Sequence, residues 1–154
     1  METKSSISLE TIQEMWNKDG SMNQDELDTE SLKIPQLHGK YYQLYNTILL
    51  LRKNCLQQHS QVLLERRKYY MGKAEAQVYI DEPFPTKVRD KEDLRLYLDA
   101  DERVSKISLK IEYYDTMLKY LEEILKQISN RTYQIKNAIE WRRFTAGYGW
   151  STNP

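Results

Sequence analysis

One cysteine, two histidines, two phenylalanines, four prolines and five glycines are all that 154 residues contain of these types. The lone Cys55 cannot make an internal disulfide and fits a reducing compartment. Nothing beside it in sequence would activate a thiolate, so it reads as a small core residue. The scattered glycines form neither a phosphate-cradling loop nor a dinucleotide fingerprint. His38 and His59 lack cysteine or acidic partners at metal-ligand spacing. No Ser-His-Asp, Cys-His or H-E-x-x-H arrangement is present, and the paired carboxylates Glu122-Glu123 and Asp81-Glu82 are ordinary on exposed faces. A non-enzyme without metal or cofactor is expected. No apolar run approaches membrane-span length, and the start METKSSISLE has no signal-peptide core. With the free cysteine, this predicts a soluble, intracellular protein, so the glycosylation pattern at Asn130-Arg131-Thr132 is set aside.

What the chain has instead is charge and tyrosine. Charged residues make up 30% and hydrophobic residues 40%, a balance that suits long amphipathic helices better than a sandwich or barrel. Twelve tyrosines stand against two phenylalanines, which favours half-buried surfaces over dry cores. The formal net charge is zero, but it is unevenly placed. Residues 1–31 hold two lysines against eight acids, whereas residues 52–73 hold six cations against Glu65 alone. Such a local excess can hold an anion that the overall isoelectric point would not predict.

The pattern predicts one domain with flanking segments. Residues 1–31 read as an acidic, partly mobile segment with a short helix from Leu9 to Lys18, on which Leu9, Ile12 and Trp16 share a side. A first long helix is expected from Pro35, where a missing N–H costs nothing, to Met71-Gly72. Its stripe runs through Leu37, Tyr41, Leu44, Ile48, Leu51, Cys55, Val62 and Tyr69. Residues 73–91, with two prolines and alternating Val78 and Ile80, read as a loop or short extended segment. Asp99 and Glu102 then resemble a capping box. Beyond them runs a heptad seam: Val104, Ile107, Ile111, Tyr114, Leu118, Leu121, Leu125, Ile128, Thr132, Ile135, Ile139 and Arg142. A helix from Ala100 to Arg143 would be about 66 Å long. Met117, Ile124 and Ala138 broaden the seam, so it can meet more than one neighbouring helix. An all-α long helical hairpin with a coiled-coil-like C-terminal helix is expected, self-associating through that seam. Residues 32–147 form the helical domain and 148–154 a tail.

The densest chemistry is "ERRKYYMGKA", Glu65 to Ala74. Arg66, Arg67, Lys68 and Lys73 surround Tyr69-Tyr70, with Arg52 and Lys53 farther up the helix. Helical spacing places Arg66, Tyr70 and Lys73 on one face and gives Tyr69 to the packed stripe. Cations can follow a phosphate path while flat rings accept unstacked bases, which points to single-stranded nucleic acid. Cations in a last helical turn also complement the dipole, so a solvated helix end is the other reading. In that case the protein is a coiled-coil scaffold. Trp141-Arg142-Arg143-Phe144 with "TAGYGWSTNP" is a second candidate, either a partner contact or a helix end with a loose aromatic tail.

The segment Arg66-x-x-Tyr69-Tyr70-x-Gly72 resembles the basic motif of the UvsY family of phage recombination mediator proteins. Leu98-x-Ala100-Asp101-x-x-Val104-x-Lys106 resembles the start of that family's long C-terminal helix. Arg131-x-x-x-Ile135-Lys136 and Arg142-x-Phe144-x-Ala146-Gly147 resemble its end. Order and spacing agree from about Leu9 to Gly147. The resemblance implies a non-catalytic protein, acting in the cytoplasm of an infected bacterial host, that binds single-stranded DNA. It also implies contact with the phage recombinase and the single-stranded-DNA-binding protein, and help in replacing the second by the first. Assembly into a hexameric or heptameric ring through the C-terminal helices is implied as well. Arg66 falls on the family's basic position. This chain has Leu64 where the family has a further cation, and Arg67 and Lys68 where it has an apolar and an acidic residue, so charge is moved toward Tyr69.

Overall fold

Ser8, in extended backbone, turns its hydroxyl to accept the Thr11 amide at 3.1 Å and so starts α1 (Leu9–Asp19). This is the short helix expected from spacing, and its Ile12 is wholly buried. The computed structural model describes residues 7–147; the 148–154 tail, with the aromatic residues expected there, lies outside the described residues.

α2 (Leu27–Tyr70) begins well before the expected Pro35, which lies inside the helix. The proline ring removes one amide, and the carbonyl it would have served belongs to Ser31, an exposed residue that water can satisfy. Asp28 and Glu30 in the first turn complement the helix dipole. The other end is closed by Gly72 at φ 74°. Its amide donates to the Tyr69 carbonyl at 3.1 Å, and the Lys73 amide donates to the Lys68 carbonyl at 2.9 Å. This pair of bonds is a Schellman stop, which needs a residue comfortable at positive φ.

The connector is irregular around its two prolines, over residues 82–90, as expected, but not throughout. α3 (Ala76–Asp81) lies within it, so Val78 and Ile80 sit on a helical turn, and α4 (Lys91–Asp99) follows. α4 starts with reciprocal carboxylates: Asp90 accepts the Asp93 amide at 2.9 Å, and Asp93 accepts the Arg89 amide at 3.0 Å. α5 (Glu102–Thr145) comes next. Its cap is Asp101, not the expected Asp99, which ends α4. Asp101 Oδ1 accepts the amides of Arg103 at 2.9 Å and Val104 at 3.1 Å.

The described residues form two compact units, 7–46 with 119–147 and 47–118, and both long helices contribute to each. Within the first, Ile12, Tyr41, Leu121, Ile124, Ile128 and Ile135 make the core. Trp16 meets Tyr41 edge-on at 5.4 Å. Asp19 accepts from Lys40 at 2.6 Å and from the Tyr41 hydroxyl at 2.9 Å, while its carbonyl accepts from Arg131 at 2.7 Å. These bonds dock the end of α1, the helix expected from spacing, onto α2 and α5. Within the second, Ile48, Cys55, Tyr69, Leu94, Val104, Met117 and Leu118 are buried. The long helices pair antiparallel in each unit, as Tyr45 with Glu122 and Arg52 with Asp115 show.

The heptad spacing of α2 is visible in what it buries, since Tyr41, Ile48, Cys55 and Tyr69 fall on one seven-residue series. The α5 seam was expected to face other copies. Val104, Leu118, Leu121, Ile128 and Ile135 are instead buried within a single chain, and Ile107, Ile111, Tyr114 and Leu125 are half-buried. Ile139 is exposed. The physical reason is the breadth of the stripe, which the antiparallel α2 already covers.

Candidate nucleic-acid interface

The last two turns of α2 separate two kinds of cation. At 100° per residue, Arg66 and Tyr69 turn inward while Arg67 and Lys68 turn out. Arg66 is only 5% exposed. Its Nε donates to Asp101 Oδ2 at 2.6 Å, and its terminal nitrogens reach Glu82 at 3.4 Å. The guanidinium carbon lies 4.2 Å from the Tyr69 ring centre and 5.2 Å from that of Tyr70. The Tyr70 hydroxyl donates to the same Asp101 oxygen at 2.7 Å, and Glu82 also accepts from Arg103 at 3.1 Å.

Burial opposes charge on Arg66 and on Asp101, but the bonds decide otherwise. The Arg66 guanidinium is held above its usual value despite burial, by Tyr70, Asp101 and Glu82. Burial pushes the Asp101 carboxyl up, yet bonds from Tyr70, Arg66 and the Val104 amide hold it below the usual carboxylate range. Tyr70 is raised by burial and by its bond to Asp101.

The sign of the pH dependence follows. The Asp101 contribution is complete above about pH 4 and is lost as pH falls through its lowered value. The Tyr70 contribution is complete below its ordinary 10.0 and is lost as pH rises through its raised value. In thermal melts, the advantage of wild type over Asp101→Asn is expected to be flat between about pH 5 and 9 and to narrow in acid. An advantage constant down to pH 2 would contradict this assignment.

The residues predicted from sequence therefore divide. Arg66 and Tyr70 do not share an outer face with Lys73: they turn to Asp101, and the helix stops before Lys73 is reached. Arg67, Lys68, Lys73 and Lys53 are exposed, and none of them forms an ion pair among the described residues. Arg52 is half-buried and paired with Asp115 at 2.5 Å. Tyr69 belongs to the packed stripe, as spacing predicted.

Sequence reasoning passed over Lys87, Arg89 and Lys91. They rim a groove of about 600 Å³ together with Arg67, and its walls include Tyr69, Tyr70, Tyr79 and Phe84. Three cations on alternate residues of "TKVRDK" were the available signal. Among the described residues, no three His, Cys, Asp or Glu side chains gather as metal ligands, and no helix is long and apolar enough to cross a membrane.

The family described as "Recombination, repair and ssDNA binding protein UvsY" matches residues 15–148. The recombination protein uvsY of Enterobacteria phage T4 is similar, at 25% identity over 142 residues, 90% of this chain and 98% of that one. Two crystal structures of the bacteriophage T4 recombination mediator protein UvsY share the all-helical fold. Their TM-scores are 0.80 and 0.78 at 24% and 23% identity, over 90% and 88% of this chain and 99% and 98% of theirs.

Proposed function

The chain belongs to the UvsY family of recombination, repair and single-stranded-DNA-binding proteins, and from that premise we propose that it is a recombination mediator. It binds single-stranded DNA, loosens the resident single-stranded-DNA-binding protein and favours loading of the phage recombinase, in the cytoplasm of the infected bacterial host. Residues 32–147 carry binding and assembly. The chemistry is competition between binding energies, with no bond made or broken.

The observation that carries this reading is the exposed run Arg67, Lys68 and Lys73 at the end of α2, with Lys53 farther up. A cation left unpaired on the surface is available to a phosphate. Arg66, Tyr70 and Arg52 act from behind, holding the helix end and the backbone that display those cations. Repetition in a homo-oligomer multiplies a modest affinity per subunit, because one strand engages several copies. Since much of the α5 seam is covered within the chain, assembly draws on what remains exposed. Leu50 and Leu64 lie two heptads apart on α2, and Leu109 lies on α5.

Binding of labelled oligodeoxythymidine across several salt concentrations tests this. Arg67→Ala, Lys68→Ala, Lys73→Ala in one chain is expected to make the log–log salt slope shallower by about 2 for each subunit the strand engages, at about 0.7 per lost phosphate contact. The variant's helical content should be unchanged. Binding equal to wild type would sink the assignment of these residues, whereas failure of wild type itself to bind would leave a coiled-coil scaffold as the better reading. Recombinase ATPase on DNA pre-coated with the single-stranded-DNA-binding protein, with and without this chain, then tests mediation itself.

A further inference from the structure

We propose that the groove between the end of α2 and the start of α4 takes one unstacked base of the bound strand, a reading that rests on single-stranded DNA binding. The groove's volume of about 600 Å³ lies within the range of pockets that bury small organic ligands. Its walls are rings in fixed orientations. Tyr69 donates its hydroxyl to the Glu82 carbonyl at 2.9 Å, Tyr70 donates to Asp101, and Tyr79 donates to the Tyr69 carbonyl at 2.7 Å. With their polar tips engaged elsewhere, the half-buried Tyr70 and Tyr79 offer apolar ring surface to an occupant, and the buried Tyr69 backs them. Phe84 packs edge-on against Tyr70 at 5.2 Å, and Leu94 completes the lining. The positions of the rings are thus set before a ligand arrives, which lowers the ordering cost of binding.

Charge identifies the occupant's other half. Arg67, Lys87, Arg89 and Lys91 line the groove against one carboxylate, Asp90, which is engaged in capping α4. Each of these cations is exposed. A flat heterocycle among rings, with phosphates on either side meeting cations, fits both features. An acidic peptide would use the cations but has no need of four aromatic walls. The base enters from the strand carried by Arg67 and Lys68, and the connector cations hold its flanking phosphates.

The test uses the full chain and two labelled strands of equal length, oligodeoxythymidine and an oligomer of abasic sites. Wild type is expected to bind the thymine strand more tightly, by about tenfold for each subunit engaged, the scale of one stacked base. Phe84→Leu should narrow that preference while leaving abasic binding unchanged. Lys87→Ala with Arg89→Ala, both exposed, should weaken binding of both strands. Photocrosslinking to a 5-iododeoxyuridine strand should place the adduct on Phe84, Tyr79 or Tyr70. Equal affinity for the two strands, or adducts confined to residues outside the groove, overturns the groove assignment and leaves single-stranded DNA binding standing. Failure to bind either strand overturns both.

Discussion

Arg66→Ala is expected to lower the stability of residues 47–118 by about 3–5 kcal/mol, the scale for removing one partner of a buried ion pair. Asp101 is left with a carboxylate 3% exposed and without its guanidinium, and Tyr70 alone cannot neutralise it. Arg67→Ala, one residue on, removes an exposed cation and should change stability by no more than about 0.5 kcal/mol. Urea unfolding followed by circular dichroism separates the two. Asp101→Asn refines the comparison, because an asparagine still caps α5 but no longer carries the charge. It should fall between wild type and Asp101→Ala. If Arg66→Ala were as stable as Arg67→Ala, the buried pair would be structurally idle, and the division between inner and outer cations would fail.

Leu121→Asp is expected to cost at least about 4 kcal/mol, combining a lost core side chain with a carboxylate that finds no partner. Leu121 is 0% exposed, so the first unit should lose helical signal and cooperative melting. Native-like melting would overturn the assignment of Leu121 to the core. This variant therefore cannot report on assembly, because a changed mass would follow from unfolding. Leu50→Asp with Leu64→Asp is the informative pair, since these residues are 61% and 54% exposed. Helicity should persist while sedimentation shows smaller species. Unchanged mass would mean that assembly does not use this face.

The two long helices were legible in sequence because their periodicity is long. Tyr41, Ile48 and Cys55 repeat every seven residues, with Tyr69 two repeats on, and Leu121, Ile128 and Ile135 do the same, which no strand pattern reproduces. Pro35 misled because it is common at helix starts, yet it is tolerated inside this one, where the residue one turn upstream, Ser31, is exposed. α4 was hidden by its nine residues, too short for periodicity to stand out. Asp99 and Asp101 are equally good caps as letters, and only the end of α4 at Asp99 decides between them. Arg66 was misplaced for a related reason. Helical spacing tells which residues share a face, but the carboxylate that draws this one inward lies 35 residues away. The groove was missed because its walls come from α2, α3 and the connector, which no single window contains.

Asp101 uses one oxygen to start α5 and the other to hold Arg66 and Tyr70. Helix initiation and tertiary docking, ordinarily separate contributions, are therefore one event at this residue. The first turn of α5 cannot fray independently, because letting go of the Arg103 and Val104 amides moves the same carboxylate that neutralises a buried guanidinium. A terminus that would normally be a soft spot is tied to the full opening free energy of its unit. The exposed cations beside it thus rest on one of the least yielding parts of the fold.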